Sequence, residues 1–414
     1  MLNNYLLKLK SLNRHELILL VFPLCQVFGP FYVNFTLVLG SIFFLYSLVS
    51  NNSYKIFRRW NWIYLFILFI FYNFIRGIFA SDHINAMHNS FSQIRFILFS
   101  LFIFSCISNL KNIKLIINIW LVLVFFVALD VIFQSFFLKD IFGMPIAAGM
   151  RASGPFGKEL IAGAFMSYTL VPLVFYFFAT NFKSDLFYKF FYIVFYIFFF
   201  LAIALTGERL SFLIFFISSL IFLFFYAGTR KFIITSFLLF SFLVMLYFNS
   251  IAFQKRTNDL INISNDFYKS SYGRLWESGL MLFEKNKLFG VGLKNYRVDC
   301  DKQIDPRPES VPQFCSTHPH NFFIELLSET GLIGFIIFFT FFGSLISFLY
   351  KRLDDFRKKS YFKEYYPLLL GNMLILIIYV WPLKTSGSFF TTWNGSFFWL
   401  NLGIFLLITK KNYK

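Results

Sequence analysis

Apolar blocks of roughly 17–25 residues recur from one end of this 414-residue chain to the other. That is the length an α-helix needs to cross about 30 Å of hydrocarbon. No water satisfies the backbone inside a bilayer, so a spanning segment must close its own hydrogen bonds, and long continuous apolar runs do this as helices rather than as barrel strands. The fold class that follows is all-α, a polytopic transmembrane helical bundle. Composition agrees: 58% of residues are hydrophobic, 67 are phenylalanine and only 14% are charged, against about a quarter charged in a soluble domain.

Twelve spans are predicted, at 15–30, 31–50, 60–80, 91–108, 113–137, 159–179, 187–206, 208–226, 230–249, 321–349, 364–382 and 388–409. Pro23, Gly29 and Pro30 interrupt the first long apolar run and divide it in two. Lys and Arg collect on the cytoplasmic side of membrane proteins. With the N-terminal end inside, 21 of them fall on cytoplasmic segments. The short outward loops hold six: Arg76, Lys139, Arg151, Lys158, Arg209 and Lys384. Both ends are therefore expected in the cytoplasm. The net charge of +18 reads as topology, and no nucleic-acid partner is expected. The first apolar stretch has no small-residue cleavage site, so no cleavable signal peptide is expected.

One hydrophilic segment stands out, residues 250–320, predicted as a periplasmic loop between spans nine and ten. It divides the chain into 1–249 (spans one to nine), 250–320 (a loop subdomain) and 321–414 (spans ten to twelve). It carries ten Lys and Arg against eight Asp and Glu, so it is no simple polybasic patch. A connection of about 70 residues is long enough to suggest a functional loop with its own structure. Within it, residues 273–289 intersperse Leu275, Leu280, Leu282 and Phe283 among charges, as an amphipathic interfacial helix does. Cys300 and Cys315 are either a periplasmic disulfide, worth about 3 kcal/mol for a loop of this size, or two unpaired thiols.

Chemistry concentrates on the outer side. His83, His88, His318 and His320 all fall there. Arg209 lies between two spans joined by almost no loop, Arg76 ends span three, and Gln93 and Arg95 sit just inside span four. Ionisable groups at such depth are costly and are functional candidates; for Arg76 and Arg95 the alternative is an anchor reaching the lipid headgroups. Arginine suits pyrophosphate, because its planar fork donates two parallel hydrogen bonds and keeps its proton. His318 and His320 bracket Pro319 before a helix runs inward. On a continuous helix Glu329 lies on the face opposite His320, so His320 acts without that carboxylate or is oriented by another segment. A near-neutral imidazole suits a general base towards a sugar hydroxyl. The other readings are a capping or interfacial histidine, or a two-ligand metal site. Asp299-Cys-Asp301 has the Asp-x-Asp pattern of metal-dependent nucleotide-sugar transferases, but nucleotide sugars are cytosolic and this loop is outside.

Four segments, in order, resemble the O-antigen ligase family, whose shared domain also occurs in O-antigen polymerases. Arg151-Ala-Ser-Gly154-Pro-Phe-Gly157 is similar to the family's outer segment before a span, with Lys158-Glu159 in place of Pro-Asn. Thr206-Gly-Glu-Arg209 resembles its T-x-S-R-G turn, with Glu208 for Ser and Leu210 for Gly. Tyr272-Gly-Arg274-Leu-Trp276, followed by Leu288-Phe-Gly290-Val-Gly292-Leu, resembles its R-x-x-W and L-F-G-x-G run. His318-Pro-His320-Asn321, with Glu329, Gly331 and Gly334, resembles its H-x-H-N and E-x-G-x-x-G signature, Phe323 and Ile324 standing where Leu is common. The resemblance covers about residues 150–335.

It implies a metal-independent glycosyltransferase of the inner membrane, without cofactors, using an undecaprenyl-pyrophosphate glycan as donor and lipid A–core as acceptor. Carried over by motif, Arg209 and Arg274 bind the pyrophosphate and stabilise its departing charge, while His320 activates the acceptor hydroxyl with His318 assisting. Arg76, Arg95, Arg151 and Asn321 join the substrate-binding set. Grooves between spans would hold the polyprenyl tail. A polymerase, which passes the glycan to another lipid-linked repeat, is the alternative within the same chemistry. A lipid-linked glycan flippase is a reading from another class, but a transporter predicts midplane charges and paired broken helices, whereas the polar residues here gather at the outer surface. A non-enzymatic assembly scaffold is the remaining reading.

Overall fold

The computed structural model describes residues 10–51, 60–106, 110–147, 149–181, 186–226, 270–303, 315–357 and 364–410, with scattered residues between 236 and 267. Among the described residues the regular structure is helical, apart from two isolated bridges, Lys139 to Pro145 and Ala147 to Arg151. The N-terminal helices are α1 (Arg14–Phe28), α2 (Pro30–Asn51), α3 (Asn61–Ile78), α4 (His83–Ser92), α5 (Ile94–Cys106) and α6 (Leu110–Phe137). A 3₁₀ turn at Gly154–Phe156 leads to α7 (Ala162–Asn181), α8 (Leu186–Leu205) and α9 (Arg209–Tyr226). Then come α10 (Ser271–Lys285), α11 (Tyr296–Gln303), α12 (Phe322–Arg357), α13 (Tyr366–Tyr379) and α14 (Thr392–Ile408).

Helices coincide with each predicted span except the ninth, 230–249, most of which lies outside the described residues. Among the described residues, four helices are by length and composition long and apolar enough to cross a membrane: Pro30–Ser50, Asn61–Ile78, Asn112–Phe137 and Phe322–Phe356. The local punctuation has physical causes. Asn13 and Glu16 form a reciprocal capping box that starts α1, and Gly29, at φ 113°, separates α1 from α2. The expected span at 91–108 is preceded by the short helix α4, which Asp82 caps by accepting from the Asn85 N–H.

The core is organised around α14, in which every residue from Gly395 to Ile408 is buried. Without a hydrophobic drive between helices in lipid, small residues and polar contacts decide which faces meet. Gly395 packs on Phe96, Gly403 on Ile103, and Gly371 on Pro172. Ser100 donates to the Trp399 carbonyl, Gln26 to Ser396, and Trp393 to the Gln26 carbonyl.

The long helix expected over 321–349 is interrupted. Gly331 breaks α12 with φ 64° and ψ −173°, a conformation open essentially to glycine alone. Into this break fits the segment after α10. Val291 and Gly292 donate to the Ser328 and Glu329 carbonyls, and Leu332 and Ile333 donate back to Lys287 and Leu288. Gly290 and Gly331 pass backbone against backbone, so the paired glycines of the two motifs form a crossing.

Candidate active site

The amphipathic helix expected at residues 273–289 appears as α10, ending at Lys285, because the residues beyond it turn to reach Gly331. It packs on the start of α12: a Cβ on Gly279 would lie 2.4 Å from Ile324 and 3.1 Å from Pro319. α11 is held by Ser81 donating to Asp299 (2.6 Å), by Asp82 donating to Asn295 (2.8 Å), and by the Ser278–Tyr296 hydroxyl pair (2.6 Å). Asp299, the first acid of the Asp-Cys-Asp triplet, is thus buried and committed to protein donors. A disulfide joins Cys300 to Cys315, Cα atoms 5.8 Å apart, and ties α11 to the chain three residues before His318. Replacing both cysteines by serine is expected to remove about 3 kcal/mol, read as a lower melting temperature in non-reducing detergent solution. An unchanged melt would show that the bridge contributes nothing.

His318 and His320 lie in the turn between that disulfide and α12. Their rings stand 4.0 Å apart, and the Tyr272 ring of α10 meets His320 edge-on at 5.8 Å. Thr317 Oγ1 and the His318 Nδ1 share a hydrogen bond of 2.9 Å. His320 is outside the helix, with φ 52°, a left-handed conformation uncommon for a non-glycine residue and found disproportionately at functional sites. Burial pushes the His318 imidazole down to about 4 and lowers His320 as well, so both rings are neutral near pH 7 and able to accept a proton.

What orients the turn is the loop between α13 and α14. Asn321, whose Oδ1 caps α12 by accepting from Ile324, donates from Nδ2 to the Pro382 (2.7 Å) and Lys384 (3.2 Å) carbonyls. Ser386 N–H donates to the His320 carbonyl at 2.8 Å. Glu329 serves other partners: its carboxylate accepts the Lys294 and Tyr296 N–H groups at 2.8 and 3.4 Å. Buried Lys294, at φ 64°, pairs with Glu325 at 3.3 Å and reaches Ser388, while the Phe389 N–H donates to the second Glu325 oxygen.

The arginines divide into groups. Arg274 is half-buried on α10, two residues after Tyr272. Arg209 opens α9 and is half-buried. Beside it Glu208 accepts the Gly163 and Ala164 N–H groups at 2.6 and 2.9 Å and the Ser211 hydroxyl at 3.0 Å, capping α7, with Arg151 supplying opposite charge to that carboxylate. Arg76 is committed to protein: Nε and Nη2 both donate to the Gly290 carbonyl, at 2.9 and 2.6 Å. Arg95 donates to Thr392 Oγ1 at 3.0 Å and lies over the Phe96 ring. His83 and His88 are exposed on α4.

Sequence reasoning passed over Lys294, Glu325 and Lys384 as members of this region. Lys294 is the one cation in a short run, Gly290–Tyr296, that is buried throughout, and Lys384 is a cation between two apolar blocks; both patterns are costly enough to have marked them. Lys384 is 3% exposed. Its ammonium lies over the Tyr379 and Tyr168 rings at 4.6 and 5.6 Å and donates to Tyr168 OH at 3.3 Å. Burial pushes it down to about 7.

Fold and site define a multi-helix membrane protein with a cap of packed polar loops around a pair of adjacent histidines. Residues 193–339 match the O-antigen ligase family, which supports assigning the chain to that family and its activity to ligase- or polymerase-type transfer of a lipid-linked glycan. The matched region holds the Arg209, Arg274 and His318–His320 segments. No curated protein matches the chain.

Proposed function

We propose that this protein transfers a glycan from undecaprenyl pyrophosphate to a hydroxyl of lipid A–core at the periplasmic face of the inner membrane, in a twelve-span chain with both ends cytoplasmic. The acceptor oxygen bonds to the anomeric carbon, its proton passes to His320, and the bond to the donor phosphate breaks with its electron pair leaving on undecaprenyl pyrophosphate. Arg209 and Arg274 stabilise that departing charge, the role in which preorganised cations contribute most. His318 holds the His320 ring, Asn321 fixes the turn, and Arg151 balances Glu208 beside Arg209. Arg76 and Arg95 act by fixing the surrounding walls. The observation that carries the reading is the histidine pair, rings 4.0 Å apart, with His320 in a left-handed conformation against the helix that bears Arg274.

The test is reconstitution in nanodiscs with the undecaprenyl-pyrophosphate glycan, with lipid A–core in one reaction and further donor alone in another. Glycan on lipid A–core identifies a ligase. Longer lipid-linked chains without use of lipid A–core identify a polymerase with the same site, and no transfer in either overturns the proposal. Arg209→Lys is expected to lower kcat/KM by about 100-fold, since a point charge does not reproduce bidentate phosphate binding; near-normal turnover would remove Arg209 from the site.

A further inference from the structure

We propose that Lys384 is a positioning residue: caged by Tyr168 and Tyr379, its side chain holds the 382–389 loop in the place from which that loop fixes the His320 turn. The inference rests on the transferase reading above. Lys384 does not reach substrate, being almost wholly buried. Its two ends join the two halves of the site. Its carbonyl accepts from Asn321, next to His320. Its ammonium rests on the Tyr379 ring of α13 and on the Tyr168 ring and hydroxyl of α7, the helix whose first turn Glu208 caps beside Arg209.

The loop is gripped at both ends. At its far end Glu325 accepts the Phe389 N–H, and Lys294 bridges Glu325 to Ser388. Between the grips, Ser386 donates to the His320 carbonyl. A lysine taken out of water without a carboxylate beside it is costly, and such groups persist where the surroundings need them. Two aromatic faces and one hydroxyl offset part of that cost, and in doing so they dictate where the backbone of residue 384 lies. Because reaction rates respond steeply to displacement of about 1 Å, a slack loop would show in turnover before it showed in folding.

The experiment compares wild type with Lys384→Met in nanodiscs, using the undecaprenyl-pyrophosphate glycan as probe. Melting temperature and amide exchange across residues 315–321 and 382–389 are measured on the same samples. Methionine fills the space and removes the buried charge. The expected result is a kcat lower by about 10- to 100-fold, a donor KM within about twofold, an unchanged or higher melting temperature, and faster exchange in both segments. Ser386→Pro, which deletes the N–H donated to His320, is expected to give the same kcat loss and to add little when combined with Lys384→Met. Wild-type turnover and exchange in folded Lys384→Met would overturn the inference while leaving the transferase reading intact. Loss of activity only in proportion to loss of folded protein would also overturn it. If Lys384→Met does not fold, Ser386→Pro decides alone, and normal kcat there counts against the proposal. Absence of transfer by wild type strikes the functional reading instead; the exchange comparison still reports whether Lys384 holds the turn.

Discussion

Replacing His320 by alanine is expected to lower glycan transfer by about 1,000-fold or more, with folded yield and melting temperature close to wild type. The asymmetry follows from what the residue touches. Its backbone carbonyl, which accepts from Ser386, survives the substitution, and its half-buried ring meets the His318 and Tyr272 rings. The side chain is therefore needed more for proton transfer than for packing. One correction applies: at φ 52° alanine is a poorer occupant than histidine or asparagine, at a cost of about 1 kcal/mol. His320→Asn is the cleaner control, since asparagine tolerates the left-handed region and supplies no base. Burial disfavours the imidazolium and lowers the His320 pKa, so the free base persists to lower pH. The acid limb of kcat/KM should then fall below the ordinary imidazole value near 6.5, and activity should rise with pH through it. Full activity in a folded His320→Asn protein would return this histidine to a capping role.

The helices were legible in the sequence because their cause is local. An apolar stretch of bilayer length has one way to satisfy its backbone in lipid, and Gly29 and Asp82 mark starts and stops by chemistry written within a few residues. The interruption of α12 was not legible. Residues 322–357 carry no proline, and Gly331 is one of three glycines there, with Gly334 and Gly343; what bends the chain is the Leu288–Gly292 segment docking some forty residues away in sequence. The candidate site divides in the same manner. Residue types and order placed His318, His320, Arg209 and Arg274 on one list. A helical wheel on a continuous helix set Glu329 away from His320, but the group that holds the His320 backbone, the Ser386 N–H on a distant loop, is invisible to periodicity. Arg76 illustrates the converse: an arginine at a span end looks free to bind phosphate until the Gly290 carbonyl is found in its fork. Buried cations such as Lys294 and Lys384 carry a sequence signal in their cost, yet only packing reveals what they hold.

The second large effect is expected at Gly331, and it is an effect on folding. Alanine there should cost about 3 kcal/mol or more. Its φ of 64° with ψ of −173° is strained for any side chain, and an added Cβ would lie 2.4 Å from the Leu288 carbonyl oxygen and 2.5 Å from the Gly290 nitrogen. Gly290 is the mirror case, with φ 68° and an added Cβ 2.5 Å from Glu329 and Gly331 backbone atoms. Those neighbours are main chain, held by four inter-segment hydrogen bonds of 2.8–3.2 Å, so neither side can step aside. Pushing them apart also frees the Gly290 carbonyl from Arg76 and loosens Lys294 and Glu329, which brace the loop behind the histidine turn. Gly331→Ala and Gly290→Ala are therefore expected to show sharply lower melting temperatures and faster proteolysis of the outer segment, with activity falling alongside. Gly343, farther along the same helix, supplies the control: nothing lies within 4 Å of its added Cβ, and alanine there should be neutral or slightly stabilising, since alanine exceeds glycine in helix propensity by about 1 kcal/mol. If Gly331→Ala melted like Gly343→Ala, the segment after α10 would not be docked in the helix break, and the paired-glycine motifs would need a role in substrate contact instead.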